Sequence, residues 1–270
     1  MTKIDLVPFG GLGNRMRVLN SAIFLGKETK LEISVCWFKK AELYADFHEI
    51  FETAGCSIDF KKGLKNKIWQ MFFKQIYIFK YPRFYKFLLS FFYDEIILDK
   101  DLIKISQIDL KESLKNKKRV LIATCYEFFP FPDFNNFKLN YHLIDKINYF
   151  EVNKSYIGIH IRRTDHLEIK SESTLENYYE ELDNQLKINP NVRFYLATDD
   201  FNTKRDFLEK YQGRVKVQDV SLERTSEEGI FGAVIDIYNL SRCSKIICNP
   251  KSSFAVMASK IGSIKPIIKV

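Results

Sequence analysis

Gly158-Ile159-His160-Ile161-Arg162-Arg163-Thr164-Asp165 joins an alternating apolar segment to two adjacent guanidiniums and a carboxylate. In an extended chain Ile157, Ile159 and Ile161 point one way, and His160 and Arg162 the other. The segment therefore reads as a buried strand ending in polar chemistry. Open α/β sheets bind their ligands outside such strand ends. Paired arginines need an anion to face, and a diphosphate fits because each guanidinium forks onto phosphate oxygens. A surface arginine pair bridged to acidic neighbours is the alternative reading.

Downstream, strand-like and helix-like segments alternate. Helices are expected around Leu175 to Lys187, from about Asn202 to Tyr211, near Gly229 to Ser241 and from Ser252 onward. Strands are expected at Tyr156 to Arg162, Val192 to Ala197, Val215 to Gln218 and Lys245 to Cys248. That alternation predicts a parallel sheet with helices on both faces. The first residues repeat it: a strand from Lys3 to Pro8, a loop Phe9-Gly10-Gly11-Leu12-Gly13, a helix from Asn14 to about Lys27, and a strand from Leu31 to Phe38. Met16, Leu19, Ile23 and Phe24 fall near one face of that helix. A glycine turn at a helix N-terminus lets backbone amides approach a phosphate or sugar. This one lacks both the dinucleotide spacing and the phosphate-loop lysine, and an ordinary tight turn is its alternative. With a boundary near Glu151, the expected fold class is α/β, two Rossmann-like domains (1–150 and 151–270) facing a cleft.

Composition limits the classes. Of 270 residues 46% are apolar, enough for a sizeable core. No uncharged apolar run reaches the ~18 residues of a membrane span. Met1-Thr2-Lys3-Ile4-Asp5 leads directly into a strand without a signal-peptide core. Five cysteines (Cys36, Cys56, Cys125, Cys243 and Cys248) form no disulfide pattern, so a reducing, cytoplasmic compartment is expected. A net charge of +8 favours anionic partners: nucleic acid, a membrane surface or phosphorylated substrates.

Residues 66–93 interleave aromatics with positive charge, as in Tyr81-Pro82-Arg83-Phe84-Tyr85-Lys86-Phe87-Leu88-Leu89. They read as a helical aromatic and basic insertion in the first domain. Its aromatics are either buried in that domain, laid on a membrane interface with snorkelling cations, or stacked on nucleic-acid bases. Phe128 to Phe137, with Pro130 and Pro132, reads as a loop.

In the second half three strand ends turn polar: His160 to Asp165, Thr198-Asp199-Asp200, and Asn249-Pro250-Lys251-Ser252-Ser253. A serine pair opening a helix can cap it and, with the free amides, hold phosphate; plain capping is the alternative. Asp199 and Asp200 lack a third ligand in view and are weak evidence for a metal.

These blocks resemble the fucosyltransferases that use GDP-fucose, the superfamily of α1,6-, α1,2- and protein O-fucosyltransferases. His-Ile-Arg-Arg-Thr-Asp at 160–165 resembles their first block, and Tyr-Leu-Ala-Thr-Asp-Asp at 195–200 the second. Asp236-Ile237-Tyr238-Asn239-Leu240-Ser241 with Ser252-Ser253-Phe254 resembles the third, and Gly10-Gly11-Leu12-Gly13-Asn14 the N-terminal glycine loop. The likeness is good over residues 156–260, moderate over the first 25, and absent over 40–150.

The resemblance implies a GT-B-like pair of domains, the first on the acceptor side and the second binding the GDP-sugar. It makes Arg162, Arg163 and Asp165 the catalytic group. Arg162 holds the β-phosphate, with Arg163 a second candidate, and Asp165 orients the arginines. His160 and Asp236 read guanine, Ser252 and Ser253 complete the phosphate cradle, and Asn14, Gly11 and Gly13 line the fucose or acceptor side. Fucose then passes to a glycan hydroxyl with inversion, by single displacement. Protein cations stand in for a metal, so no metal or other cofactor is expected. Charge growing on the β-phosphate is stabilised most when fully developed, and losing one such contact costs roughly 3 kcal/mol of barrier. The lysine expected after the aspartate is His166, and the glutamate spacing is not kept. Glu168, Glu172 and His166 are unranked candidates for a base, each with the alternative of a solvated loop residue.

The expected role is synthesis of a bacterial surface polysaccharide, from GDP-fucose onto a glycan or lipid-linked glycan. Peripheral inner-membrane contact is expected through 66–93, and no nucleic acid. One alternative is another GDP-sugar on the same fold. A basic nucleic-acid-binding protein is the other, disfavoured because the charge near the site sits at strand ends rather than along one helix face.

Overall fold

The computed structural model describes residues 2–29, 31–40, 42–54, 58–60, 80–102, 107–163, 174–220, 225–249, 251–264 and 267–270. The chain divides into two compact units, Met1–Lys138 and Leu139–Val270.

The first unit runs β1 (Lys3–Pro8), α1 (Leu12–Thr29), β2 (Glu32–Val35), α2 (Phe47–Ile50), β3 (Phe51–Ala54), β4 (Ile58–Phe60), α3 (Pro82–Leu89), β5 (Glu95–Leu98), α4 (Asp99–Leu102), α5 (Gln107–Leu114) and β6 (Arg119–Thr124). Its sheet has the order β4-β2-β1-β6-β5, and every pairing is parallel. β1 and β6 are buried from their second residue onward, as central strands of a sheet covered on both faces must be. The strand expected to reach Phe38 pairs only as far as Val35, although Cys36, Trp37 and Phe38 remain buried. Residues 125–136 carry no helix or strand, and Phe128, Phe129, Phe131 and Phe134 are buried there.

α3 departs from the buried-aromatic reading. Leu89 and Tyr93 enter the core, but Phe84, Phe87, Phe91 and Phe92 are 59–71% exposed. Residues 66–79 of the expected insertion lie outside the described residues.

β7 (Phe137–Leu139) crosses the division between the units. The second unit continues with α6 (Tyr141–Tyr149), β8 (Tyr156–Ile161), α7 (Leu175–Ile188), β9 (Arg193–Thr198), α8 (Phe201–Lys210), β10 (Val215–Val217), α9 (Glu227–Arg242), β11 (Lys245–Cys248), α10 (Ser253–Gly262) and β12 (Ile267–Lys269). α6 precedes the boundary expected near Glu151, yet it lies in this unit and packs on α9.

The sheet order is β10-β9-β8-β11-β12, all parallel, so the chain builds outward from β8 in one direction and then in the other. That is the Rossmann order, with its topological switch point between β8 and β11. Ile157, Ile159 and Ile161 join Phe194, Leu196, Tyr178, Leu182 and Phe207 in one core cluster. His160 is on the opposite face, as the alternation requires. α9 and α10 pack so closely that a Cβ on Gly262 would lie 1.9 Å from the Ser241 carbonyl oxygen.

Gly262→Ala should therefore force the two helices apart. The expected cost is roughly 1–3 kcal/mol, read as a Tm lower by about 3–10 °C; an unchanged melting curve would mean the helices do not pack this closely.

Candidate functional site

In the second unit the register places Cys248 and Ala197 beside His160, at the switch point. His160 is buried and stacks on Phe254, with ring centroids 4.7 Å apart and planes 17° from parallel. Its Nδ1 shares a hydrogen bond of 2.8 Å with Ser252 Oγ. Ser252 also caps α10, accepting the Ala255 N–H at 3.1 Å. One serine thus ties the end of β8 to the helix N-terminus, whose first amides have no partners within the helix and suit an anion. Burial, with some help from Arg162 and against Asp199, lowers the His160 pKa to about 4. The imidazole is neutral at pH 7 and brings the site no charge. Ser253, the first residue of α10, is exposed.

Arg162 and Arg163 follow β8 and are half-buried. The Arg163 N–H donates to Asp199 Oδ1 at 2.7 Å, linking the ends of β8 and β9. Asp200 caps α8, accepting from the Thr203 amide at 2.8 Å and its hydroxyl at 2.7 Å. Asp165, His166, Glu168 and Glu172 lie outside the described residues. Among the described residues no group of three or more His, Cys, Asp or Glu is placed to hold a metal ion.

Asp236 lies on α9 and is 1% exposed. Tyr195 Oη donates to its Oδ1 at 2.8 Å, and Gln218 also hydrogen-bonds it. Asn239 Nδ2 donates to Tyr195 Oη at 3.3 Å. Burial raises the Asp236 pKa to about 7, and the two donors only partly offset this. The carboxylate borders a cavity of about 360 Å³ at the ends of β9 and β10, with Thr198, Asp199, Lys204, Gln218 and Asp219.

Sequence reading singled out Asp236 but missed the roles of Tyr195, Gln218 and Phe254. A signal existed for part of this. Gly232, Asp236 and Asn239 fall on one helical face, and Tyr195 has the strand parity opposite to the core residues Phe194 and Leu196.

In the first unit the glycine turn is tighter than expected, because α1 begins at Leu12 and takes Gly13 and Asn14 into its first turn. Gly10 makes the reversal with φ +79°, where a Cβ would meet the Asn14 side chain at 2.6 Å. Gly11 keeps open space, its nearest neighbour being the Glu42 carbonyl oxygen at 3.6 Å. Asn14 Oδ1 accepts from Arg17. Arg15, also unremarked in the sequence, is 1% exposed and donates to Gly10 O at 2.8 Å and to Phe38 O at 2.6 Å. Its guanidinium lies 4.9 Å from the centre of the Trp37 ring.

Residues 135–262 match the family model of the α-(1,6)-fucosyltransferase N- and catalytic domains. The matched residues take in most of the second unit. The resemblance read from the three blocks is thereby borne out. Among solved structures, the NodZ α-1,6-fucosyltransferase soaked with GDP-fucose is 18% identical, with TM-score 0.67 over 100% of this chain and 95% of its own. NodZ from Bradyrhizobium is 19% identical, with TM-score 0.62 over 100% and 95%. A mutant of Arabidopsis thaliana FUT1 in complex with GDP is 14% identical, with TM-score 0.68 over 98% and 70%. POFUT1 in complex with GDP is 12% identical, with TM-score 0.56 over 99% and 98%. At these identities the likeness is one of fold, and the parallel α/β architecture is the fold of those fucosyltransferases. No curated protein matches the chain by sequence.

The Asp236 carboxyl keeps its proton in the folded chain up to about pH 7, whereas an unfolded chain releases it near the ordinary value of 3.8. Between those values the folded state binds more protons, so this group erodes stability as pH rises. Asp236→Asn should lose less melting temperature than the parent between pH 5 and pH 8. Parallel pH dependences would place the carboxyl in a wetter site than the one described.

Proposed function

We propose that the chain is a GDP-fucose-dependent glycosyltransferase that moves fucose to a hydroxyl of a glycan acceptor, with inversion and without a metal. What carries this reading is the convergence of His160, Ser252, Phe254 and the α10 N-terminus at the switch point of a unit that matches a fucosyltransferase family model. The solved NodZ structures soaked with GDP-fucose or co-crystallised with GDP support the same donor.

In this reading residues 151–270 bind the donor and residues 1–150 serve the acceptor. Neutral His160 and Asp236 read guanine, while Ser252, Ser253 and the α10 amides hold the diphosphate. Arg162, seconded by Arg163 and oriented by Asp165, takes up the charge that develops on the leaving β-phosphate. Protein cations and the helix N-terminus supply the stabilisation that a divalent ion gives elsewhere. Gly11, Gly13 and Asn14 line the fucose or acceptor side. The proton of the acceptor hydroxyl passes to His166, Glu168 or Glu172, or to the departing phosphate.

The proposed setting is synthesis of a bacterial surface polysaccharide at the cytoplasmic face of the inner membrane, on a glycan or lipid-linked glycan. Among the described residues no helix is long and apolar enough to cross a membrane. Support for a peripheral contact comes from α3 and the residues around it, where Phe84, Phe87, Phe91 and Phe92 stand exposed in a stretch that also carries Lys80 and Arg83. Aromatic side chains flanked by cations suit the headgroup layer of an anionic bilayer.

Titration of the chain in EDTA against GDP, GDP-fucose and UDP should show binding of the two guanine nucleotides alone. Arg162→Ala should lower turnover about 100-fold. Equal binding of UDP, or activity that requires an added divalent ion, would overturn the assignment. For the membrane contact, sedimentation with phosphatidylglycerol vesicles should weaken at least about tenfold in the Phe87→Ser/Phe91→Ser variant. Soluble-acceptor turnover should stay at the parent level, and unchanged sedimentation would remove this face from the membrane.

A further inference from the structure

Tyr178 lies on α7, with its ring in the core cluster of Ile157, Ile159, Ile161 and Phe194, on the other side of the sheet from the His160 imidazole. It is 2% exposed, yet its hydroxyl reaches the strand ends at the switch point. Cys248 is the residue of β11 that registers with His160. In a parallel ladder a carbonyl meets the amide one residue beyond its partner, which for His160 is Asn249. The Tyr178 hydroxyl serves both of these groups. Its Oη donates to His160 O at 3.2 Å and accepts from the Asn249 N–H. Burial holds the phenol proton on well above the ordinary range, so the hydroxyl stays a donor.

From Asn249 the connections continue around the site. Its carbonyl oxygen accepts the Ser252 N–H at 3.0 Å, and its Oδ1 accepts the Lys251 N–H at 2.8 Å, which fixes the turn from β11 into α10. Ser252 Oγ shares the 2.8 Å hydrogen bond with His160 Nδ1. His160, Tyr178, Asn249 and Ser252 thus form a closed circuit, one link of which comes from the far side of the sheet. All four are buried, so water has little access to replace a lost link.

We propose that Tyr178 is a positioning residue for the donor diphosphate, its hydroxyl setting the turn into α10, and with it the α10 N-terminus, against the end of β8. This rests on the donor reading above and adds to it a residue that touches no part of the nucleotide. Amides and a hydroxyl hold phosphate only within hydrogen-bond reach, and a misplacement of about 1 Å in such a site can cost about 100-fold. The core packing of the Tyr178 ring does not require the hydroxyl. The two groups it joins belong to the strand ends that border the site.

The test compares Tyr178→Phe with Tyr211→Phe by calorimetric titration with GDP, each protein also followed by thermal melting. Tyr211 belongs to the same core cluster and directs its hydroxyl to Asp183 at 3.0 Å, outside the circuit. Both variants keep the ring that fills the core, so both should fold, with a lowered Tm. Only Tyr178→Phe should lose GDP affinity, by about tenfold for one hydrogen bond. Ser252→Ala should weaken GDP binding by itself and add less than its full factor to Tyr178→Phe, because the circuit is already open. Parent-level affinity in Tyr178→Phe would overturn the proposal, as would equal losses in the two phenylalanine variants. Losses that multiply in the double variant would also overturn it, since the two hydroxyls would then act independently. If the parent itself did not bind GDP, the donor reading would fall and this inference with it.

Discussion

A carboxylate cannot be taken out of water without donors, and in the second unit Asp236 is almost wholly buried. Much of the local architecture answers that demand. Tyr195 spends its hydroxyl on Oδ1, Asn239 orients Tyr195 from the next turn of α9, and Gln218 reaches in from the end of β10. These three residues lie on a strand, a helix and a strand end, so the polar cluster ties β9, β10 and α9 together at one place. Packing against apolar side chains alone would not require such an arrangement. A pKa held near 7 leaves the carboxyl balanced between its neutral and charged forms at physiological pH. A ligand that donates to it would then favour the charged form, coupling binding to release of a proton.

The same unit shows how two kinds of helix end divide the work. Asp200 caps α8 with its Oδ2, taking both the amide and the hydroxyl of Thr203. Ser252 caps α10 with an oxygen that also meets His160. The first cap closes its helix off, whereas the second leaves it joined to a neutral imidazole stacked on Phe254 at the switch point. Only the second arrangement keeps amides, a hydroxyl and an aromatic surface together.

Long apolar strands and their helices were legible in the sequence. β11 lies at Lys245–Cys248 as expected, and β8, β9, α7 and α8 each fall within a residue or two of their expected ends. Their runs of Ile, Val, Phe and Leu leave little choice of conformation. β4, β5 and β12, each of three or four residues, were missed. Residues in contact with the site split along the same line. His160 and Ser252 stood out at strand ends that turn polar, and Asp236 through the likeness of its block to the family. Tyr195 and Gln218 gained their meaning only when strand pairing set them beside α9. α3 misled for a different reason: an aromatic run reads equally well as core or as surface until the neighbouring strands decide which side is covered.

The glycine turn of the first unit has a dependency that its own sequence conceals. Gly10 gives the reversal its left-handed backbone, but Arg15 holds it, bridging Gly10 O to Phe38 O while lying over Trp37. Burial lowers the Arg15 pKa to about 10, so the guanidinium stays charged at neutral pH although it is almost sealed from solvent. Its donors are committed to carbonyl oxygens from two separate strand ends, and a lysine's single ammonium cannot span both with the same planar fork. Gly10-Gly11-Leu12-Gly13-Asn14 is consequently not a portable cassette. Transplanted into another Rossmann unit without Trp37 and Phe38, the motif would retain every residue that a pattern search recognises and lose the strut that keeps it shaped.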